Sequence, residues 1–221
     1  MTLDPRIASE VVDACAAAIV LVGVLIVATR SIGRSIWLVA LQSVFVGLAA
    51  VATGLANGVG HLAVGGVLAI GMKGVVVPLV LGSILRRSAV RRERRPLLAP
   101  RYALVLAVAI VFVATAAADG VAPGAGVASS RALPAAIAEV LTGLLVVMTR
   151  RKALSLVVGL LVFENGIALT AFSLTYGMPL VVELGVLFDV LIAVVVAWIY
   201  ARRMLDVFGT TSTDSLRSLR G

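Results

Sequence analysis

Short polar breaks divide this chain into seven long apolar runs, at residues 11–29, 36–56, 62–85, 102–118, 133–149, 153–175 and 179–200. A helix needs about 17–25 predominantly apolar residues to cross the hydrocarbon layer of a bilayer, and each run meets that length. The runs are continuous, not alternating, and exceed the roughly ten residues of a barrel strand, so helices are expected and strands are not. The breaks leave one compact bundle and little chain for a soluble domain. Hydrophobic residues make up 61% of the 221 residues and charged ones 14%, a balance that no soluble fold of this size could hide from water. The expected fold class is all-α: a polytopic membrane protein of about seven transmembrane helices.

Orientation follows from the arginines. The first, third and fifth connections and the C-terminal tail hold all but Arg6, Lys73 and Arg131 of the 19 lysines and arginines. The positive-inside rule then predicts the N-terminus outside and the C-terminus in the cytoplasm. Asp4, Glu10 and Asp13 surround Arg6 where a signal peptide would need a basic n-region, so the first helix is expected to stay. The basic stretch from Arg86 to Arg95 reads as a topology determinant that also touches anionic lipid head groups, with a cytosolic docking partner as the sharper option. No aromatic residue is interleaved there to stack bases, which argues against nucleic acid.

Lys73, Glu164 and Asp189 stand near the middle of their runs. A charge at the bilayer centre costs on the order of 2.5–3.5 kcal/mol on insertion scales and marks a functional-site hypothesis by default. At about 1.5 Å per residue, Lys73 and Asp189 lie roughly 15–16 Å from the outer ends of their runs and Glu164 as far from its inner end, close to the midplane of a core about 30 Å thick. Glu164 and Asp189 flank Gly177 almost symmetrically, so an antiparallel hairpin brings them level. Glu139 and Glu183 enter from the outer side and are expected to be shallower, at very roughly 6–9 Å.

The neighbouring residues fit a polar interior. Pro78 cannot donate to the carbonyl of Gly74, and broken hydrogen bonds at this depth face protein or water. Gly71 and Gly74 leave room for a helix beside the Lys73 stem, and Asn165 can hydrogen-bond to a neighbouring helix. Burial disfavours the charged form of an ionisable group and an opposite charge favours it, so such groups can be poised to exchange protons. Level charges joined by water form a relay. The plainer alternative is a static buried ion pair, for example Lys73 with Asp189, that only fixes helix register.

Other chemistries find no footing. Cys15 is single and lies in the first apolar run, and His61 is single and falls in an outer loop. There is no phosphate-binding glycine loop, no nucleophile with a base, and no visible metal or quinone site. The chain is expected to hold no cofactor of its own and not to be an independent enzyme.

The stretch from Phe163 to Ile167, with Glu164-Asn165-Gly166 at its centre, followed by the segment from Pro179 to Asp189, resembles the component E subunit of hydrogenase-4 and of related formate hydrogenlyase and membrane-bound group 4 nickel–iron hydrogenase complexes. Met72-Lys73-Gly74 with Pro78 resembles the third helix of that family. In the family the last three helices are similar to the small K-type subunit of respiratory complex I. The resemblance implies a division into a four-helix part (1–130), a three-helix K-like part (131–205) and a cytoplasmic tail (206–221). Carried over, Glu164 matches the acid of the small subunit's second helix. Asp189 matches that of the third, since Arg202-Arg203 follow it at the corresponding distance; complex I usually has glutamate there, and here Glu183 lies nearby.

What the resemblance implies is a multi-pass subunit of a prokaryotic cytoplasmic membrane, set among antiporter-like and other membrane subunits of a redox complex. It would contribute Glu164 and Asp189 as relay groups, Lys73 as counter-charge, and Glu139 and Glu183 toward the outer route, for proton or sodium-ion translocation. Two rivals remain open on sequence: a free-standing secondary ion transporter, which should show paired repeats with interrupted helices, and a purely structural membrane scaffold.

Overall fold

The computed structural model describes residues 3–87, 97–118 and 131–175, together with Val194, Trp198 and Arg202. Its elements are α1 (Pro5–Ala28), α2 (Ile32–Ala56), α3 (Gly60–Ala69), a π-helical segment (Ile70–Val76), α4 (Val77–Arg87), α5 (Pro100–Ala118), α6 (Ala132–Thr149) and α7 (Ala153–Thr175). The third apolar run is one rod made of α3, the π segment and α4. Six spans long and apolar enough to cross a membrane result, and no strand occurs among the described residues. The chain is an integral membrane protein. The seventh run falls outside the described residues, apart from Val194 and Trp198; these and Arg202 beyond it are helical.

Helix ends follow local chemistry more closely than hydropathy does. The α1 helix starts at Pro5, well before the apolar run, because the Asp4 carboxylate accepts the Arg6 N–H at 2.8 Å and proline fits the first turn. The turn after α2 requires Gly58, whose φ of +68° is left-handed, and the Val59 N–H closes back on the Gly54 carbonyl at 2.8 Å.

Packing centres on α2, which touches α1, α3, the π segment, α4 and α7; α6 lies against α7, α5 and α1. Lipid offers no hydrophobic drive for helices to associate, so small residues that let backbones approach do this work. A methyl group on Gly66 would lie 2.6 Å from the Gly47 carbonyl oxygen, and one on Gly54 the same distance from the Ala63 nitrogen. On the other side of the bundle Gly143, Gly159 and Gly166 bring α6 against α7. The α5 helix is peripheral, with Val105, Phe112 and Val113 exposed.

Most of the described basic residues gather at one end. There Leu85 meets Gly33, the Leu97 N–H donates to the Thr149 carbonyl at 2.9 Å, and the Arg150 guanidinium donates to the carbonyls of Ile26, Val27 and Thr29 at 3.2, 2.8 and 2.8 Å. Arg150 thus caps the C-terminus of α1, where carbonyls lack helical partners. The opposite end holds the Leu3 to Leu55 backbone bond and His61.

Candidate functional site

The π segment carries Lys73. In it the Val77 N–H donates to the Met72 carbonyl, five residues back, and Pro78 stands just beyond, where the register returns to α. A proline without an N–H makes no claim on the carbonyl four residues back, so it tolerates this change of register. The irregularity expected from Pro78 therefore takes the form of a π segment around Lys73. Gly74 does meet a neighbour, since a methyl group there would lie 2.9 Å from Val44 Cγ2. Gly71 does not: nothing lies within 4 Å of such a group, so its expected role beside the Lys73 stem is not what the structure shows.

Lys73 is 6% exposed and reaches Glu164 of α7, which is 8% exposed; Nζ and Glu164 Oε1 are 2.6 Å apart. Asp189 and Glu183 lie outside the described residues. A charged pair removed from water is stabilised only by close geometry and further hydrogen bonds, and removing one partner alone leaves a costly buried charge.

Glu139 lies in a second polar cluster. It is 1% exposed, and its Oε1 accepts Gln42 Nε2 of α2 at 2.5 Å. The same amide nitrogen donates to the Ile19 carbonyl of α1 at 3.2 Å. Gln42 Oε1 in turn accepts Asn165 Nδ2 of α7 at 3.1 Å, and Asn165 Nδ2 also donates to Ser43 Oγ at 3.1 Å. The Ser43 hydroxyl donates to the Val39 carbonyl at 2.9 Å. Gly23 of α1 makes space for the Glu139 carboxyl, whose oxygens would stand 2.7 and 2.8 Å from a methyl group at that position.

Glu139 faces Gln42 near the middle of α2, and within the 18 residues of α6 it stands close to the centre. Gln42 and Ser43 escape a search for charges in apolar runs, and the signal that would find them is the cost of burying an amide or hydroxyl without a partner. Asn165 meets its expectation of bonding across to a neighbouring helix. Among the described residues no group of three or more His, Cys, Asp or Glu side chains is arranged to hold a metal ion.

No family model matches the chain, and no solved structure matches it. Over 149 residues, 67% of this chain and 69% of the relative, it is 28% identical to Hydrogenase-4 component E of Escherichia coli strain K12; Hydrogenase-4 component E of Shigella flexneri matches to the same degree. The likeness to the Uncharacterized protein Rv0085 of Mycobacterium tuberculosis runs nearly end to end, with 35% identity over 216 residues that make up 96% of this chain and 97% of the relative. At that identity and coverage, the chain belongs to the same family as the mycobacterial protein Rv0085.

Proposed function

We propose that this chain is a membrane subunit of a hydrogenase-type redox complex in a prokaryotic cytoplasmic membrane, and that its buried ionisable residues take part in proton or sodium-ion translocation. Similarity to Hydrogenase-4 component E supports the first half. The observation that carries the second is the Lys73–Glu164 pair, with Glu139 on its own hydrogen-bonded network, in the middle of a helical bundle where charge is expensive. In this reading seven helices span the bilayer, with the N-terminus outside and the basic end in the cytoplasm. Residues 131–205 play the part of the complex I K-type subunit, 1–130 form an added four-helix part and 206–221 a cytoplasmic tail. Antiporter-like and other membrane subunits are the partners, and the redox chemistry belongs to them. Glu164 and Asp189 are relay groups, Lys73 tunes Glu164, and Glu139 and Glu183 serve the route toward the outer side.

The test is Glu164→Gln, alone and with Asp189→Asn, in inverted membrane vesicles whose redox-driven acidification is followed with a pH-sensitive dye. Loss of a positioned proton-transfer group costs roughly 100-fold or more, so pumping should fall while assembly persists. Normal pumping by an assembled variant would overturn the relay in favour of a scaffold. Purification in mild detergent separates the remaining rival: a transporter would run alone or as a homo-oligomer.

A further inference from the structure

Glu164 and Asn165 are consecutive residues of α7, with Cα atoms about 3.8 Å apart and side chains turned about 100° from one another. One reaches Lys73 and the other Gln42. Movement of this turn therefore acts on both the 2.6 Å ion pair and the 3.1 Å amide bond.

The bonds beyond that turn have a direction. Asn165 Nδ2 donates to Gln42 Oε1, and Gln42 Nε2 donates to Glu139 Oε1. The remaining N–H of each amide is used as well, on Ser43 Oγ and on the Ile19 carbonyl. Flipping the Gln42 amide would therefore break its bonds to Glu139, Ile19 and Asn165 at once, and flipping Asn165 would break its bond to Gln42. Both dipoles stay aligned with their positive ends toward Glu139. The carboxyl itself occupies the space that Gly23 of α1 leaves by having no side chain.

Among the described residues few charges compete at this level. The helices packed against α6 are α1, α5 and α7, and their charged residues are Arg6, Glu10 and Asp13 in the first half of α1, Arg101 at the start of α5, and Glu164; α2, which supplies Gln42, carries Arg34 in its first turn. Asp13 is six residues, roughly 9 Å along the axis, from Ile19. Glu164 is the charged group of those helices that shares a turn with the network.

We infer that Gln42 and Asn165 are positioning residues that couple Glu139 to the Lys73–Glu164 pair, so that the charge on one carboxyl sets the hydrogen bonding of the other across α2 and α7. The coupling deepens the proposed ion-translocating role and supplies its lateral step, but as a property of the resting protein it can be measured without turnover.

The experiment is infrared difference spectroscopy on the full-length chain in its own membranes. Glu139→Gln assigns the Glu139 carboxyl or carboxylate band by its loss. Glu164→Gln should shift that band, and adding Gln42→Leu to Glu164→Gln should abolish the shift, a double-mutant cycle read in frequency. A Glu139 band identical in the wild type and Glu164→Gln would overturn the coupling. So would a shift that survives Gln42→Leu, since the amides would then not carry it. If Gln42→Leu fails to accumulate, Asn165→Ala breaks the same link while leaving Glu139 its donor, and the same two outcomes decide. Because pumping is not the readout, failure here and failure of the translocation reading are distinguishable.

Discussion

Gly143→Ala should damage the candidate site without touching it. A methyl group on Gly143 would lie 2.5 and 2.7 Å from Phe163 Cα and Cβ, where ordinary contact begins near 3.4 Å. Backbone cannot rotate away as a side chain can, so α7 must retreat by about 1 Å. Phe163 immediately precedes Glu164, so the same retreat would displace the carboxylate from the geometry that sets the 2.6 Å Lys73–Glu164 contact. Overpacking costs about 1–3 kcal/mol, and losing a hydrogen bond to a charged group about 1.5–3 kcal/mol. Replacing a helical glycine by alanine returns about 1 kcal/mol of backbone entropy. The net expectation is a loss of about 1.5–5 kcal/mol, measured by unfolding the purified protein in mixed micelles and following helicity. Gly82→Ala is the control, because nothing lies within 4 Å of a methyl group there; it should be neutral or stabilising by up to about 1 kcal/mol. If Gly143→Ala unfolds like Gly82→Ala, the idea that α6–α7 contact positions Glu164 is wrong.

Other expectations follow from the same geometry. Lys73→Met leaves the Glu164 carboxylate without its cation and should cost about 3–5 kcal/mol, most of which returns in Lys73→Met with Glu164→Leu; equal losses in the single and double variants would show that the pair does not govern stability. Arg150→Ala removes the donor that closes the end of α1 and should cost about 1.5–3 kcal/mol, with hydrogen exchange accelerated in the last turn of α1 but not in α2. Arg150→Lys should recover only part of this, since an ammonium does not reproduce the reach and geometry of the guanidinium. Unchanged exchange at Ile26 and Val27 in Arg150→Ala would refute the cap.

Much of this molecule is written in its hydropathy. The apolar runs announce the described spans because backbone polar groups in lipid must be satisfied within a helix. Lys73 and Glu164 stand out because an unpaired charge at that depth is costly. Their pairing is less legible, since three charges at one level permit several pairs and helix order decides among them. The surroundings of Glu139 are not legible from α6 alone, because its partner is the Gln42 side chain across the interface. Gln42 and Ser43 carry no formal charge, and their importance emerges only when the donors and acceptors around them are traced. The π segment is foreshadowed by Pro78, although a proline in an apolar run is equally compatible with a simple kink.

A helix holding one turn wound to a wider gauge is not obliged to keep it in one place. Each hydrogen bond that swaps a partner five residues back for one four residues back passes the surplus residue along the rod, and each such exchange turns the passed residue by up to about 100° about the axis. Lys73 rides on that surplus turn. The widened turn thus sets the angle at which the Lys73 ammonium meets Glu164, between the close approaches at Gly66 and at Gly33 that hold the two ends of the rod.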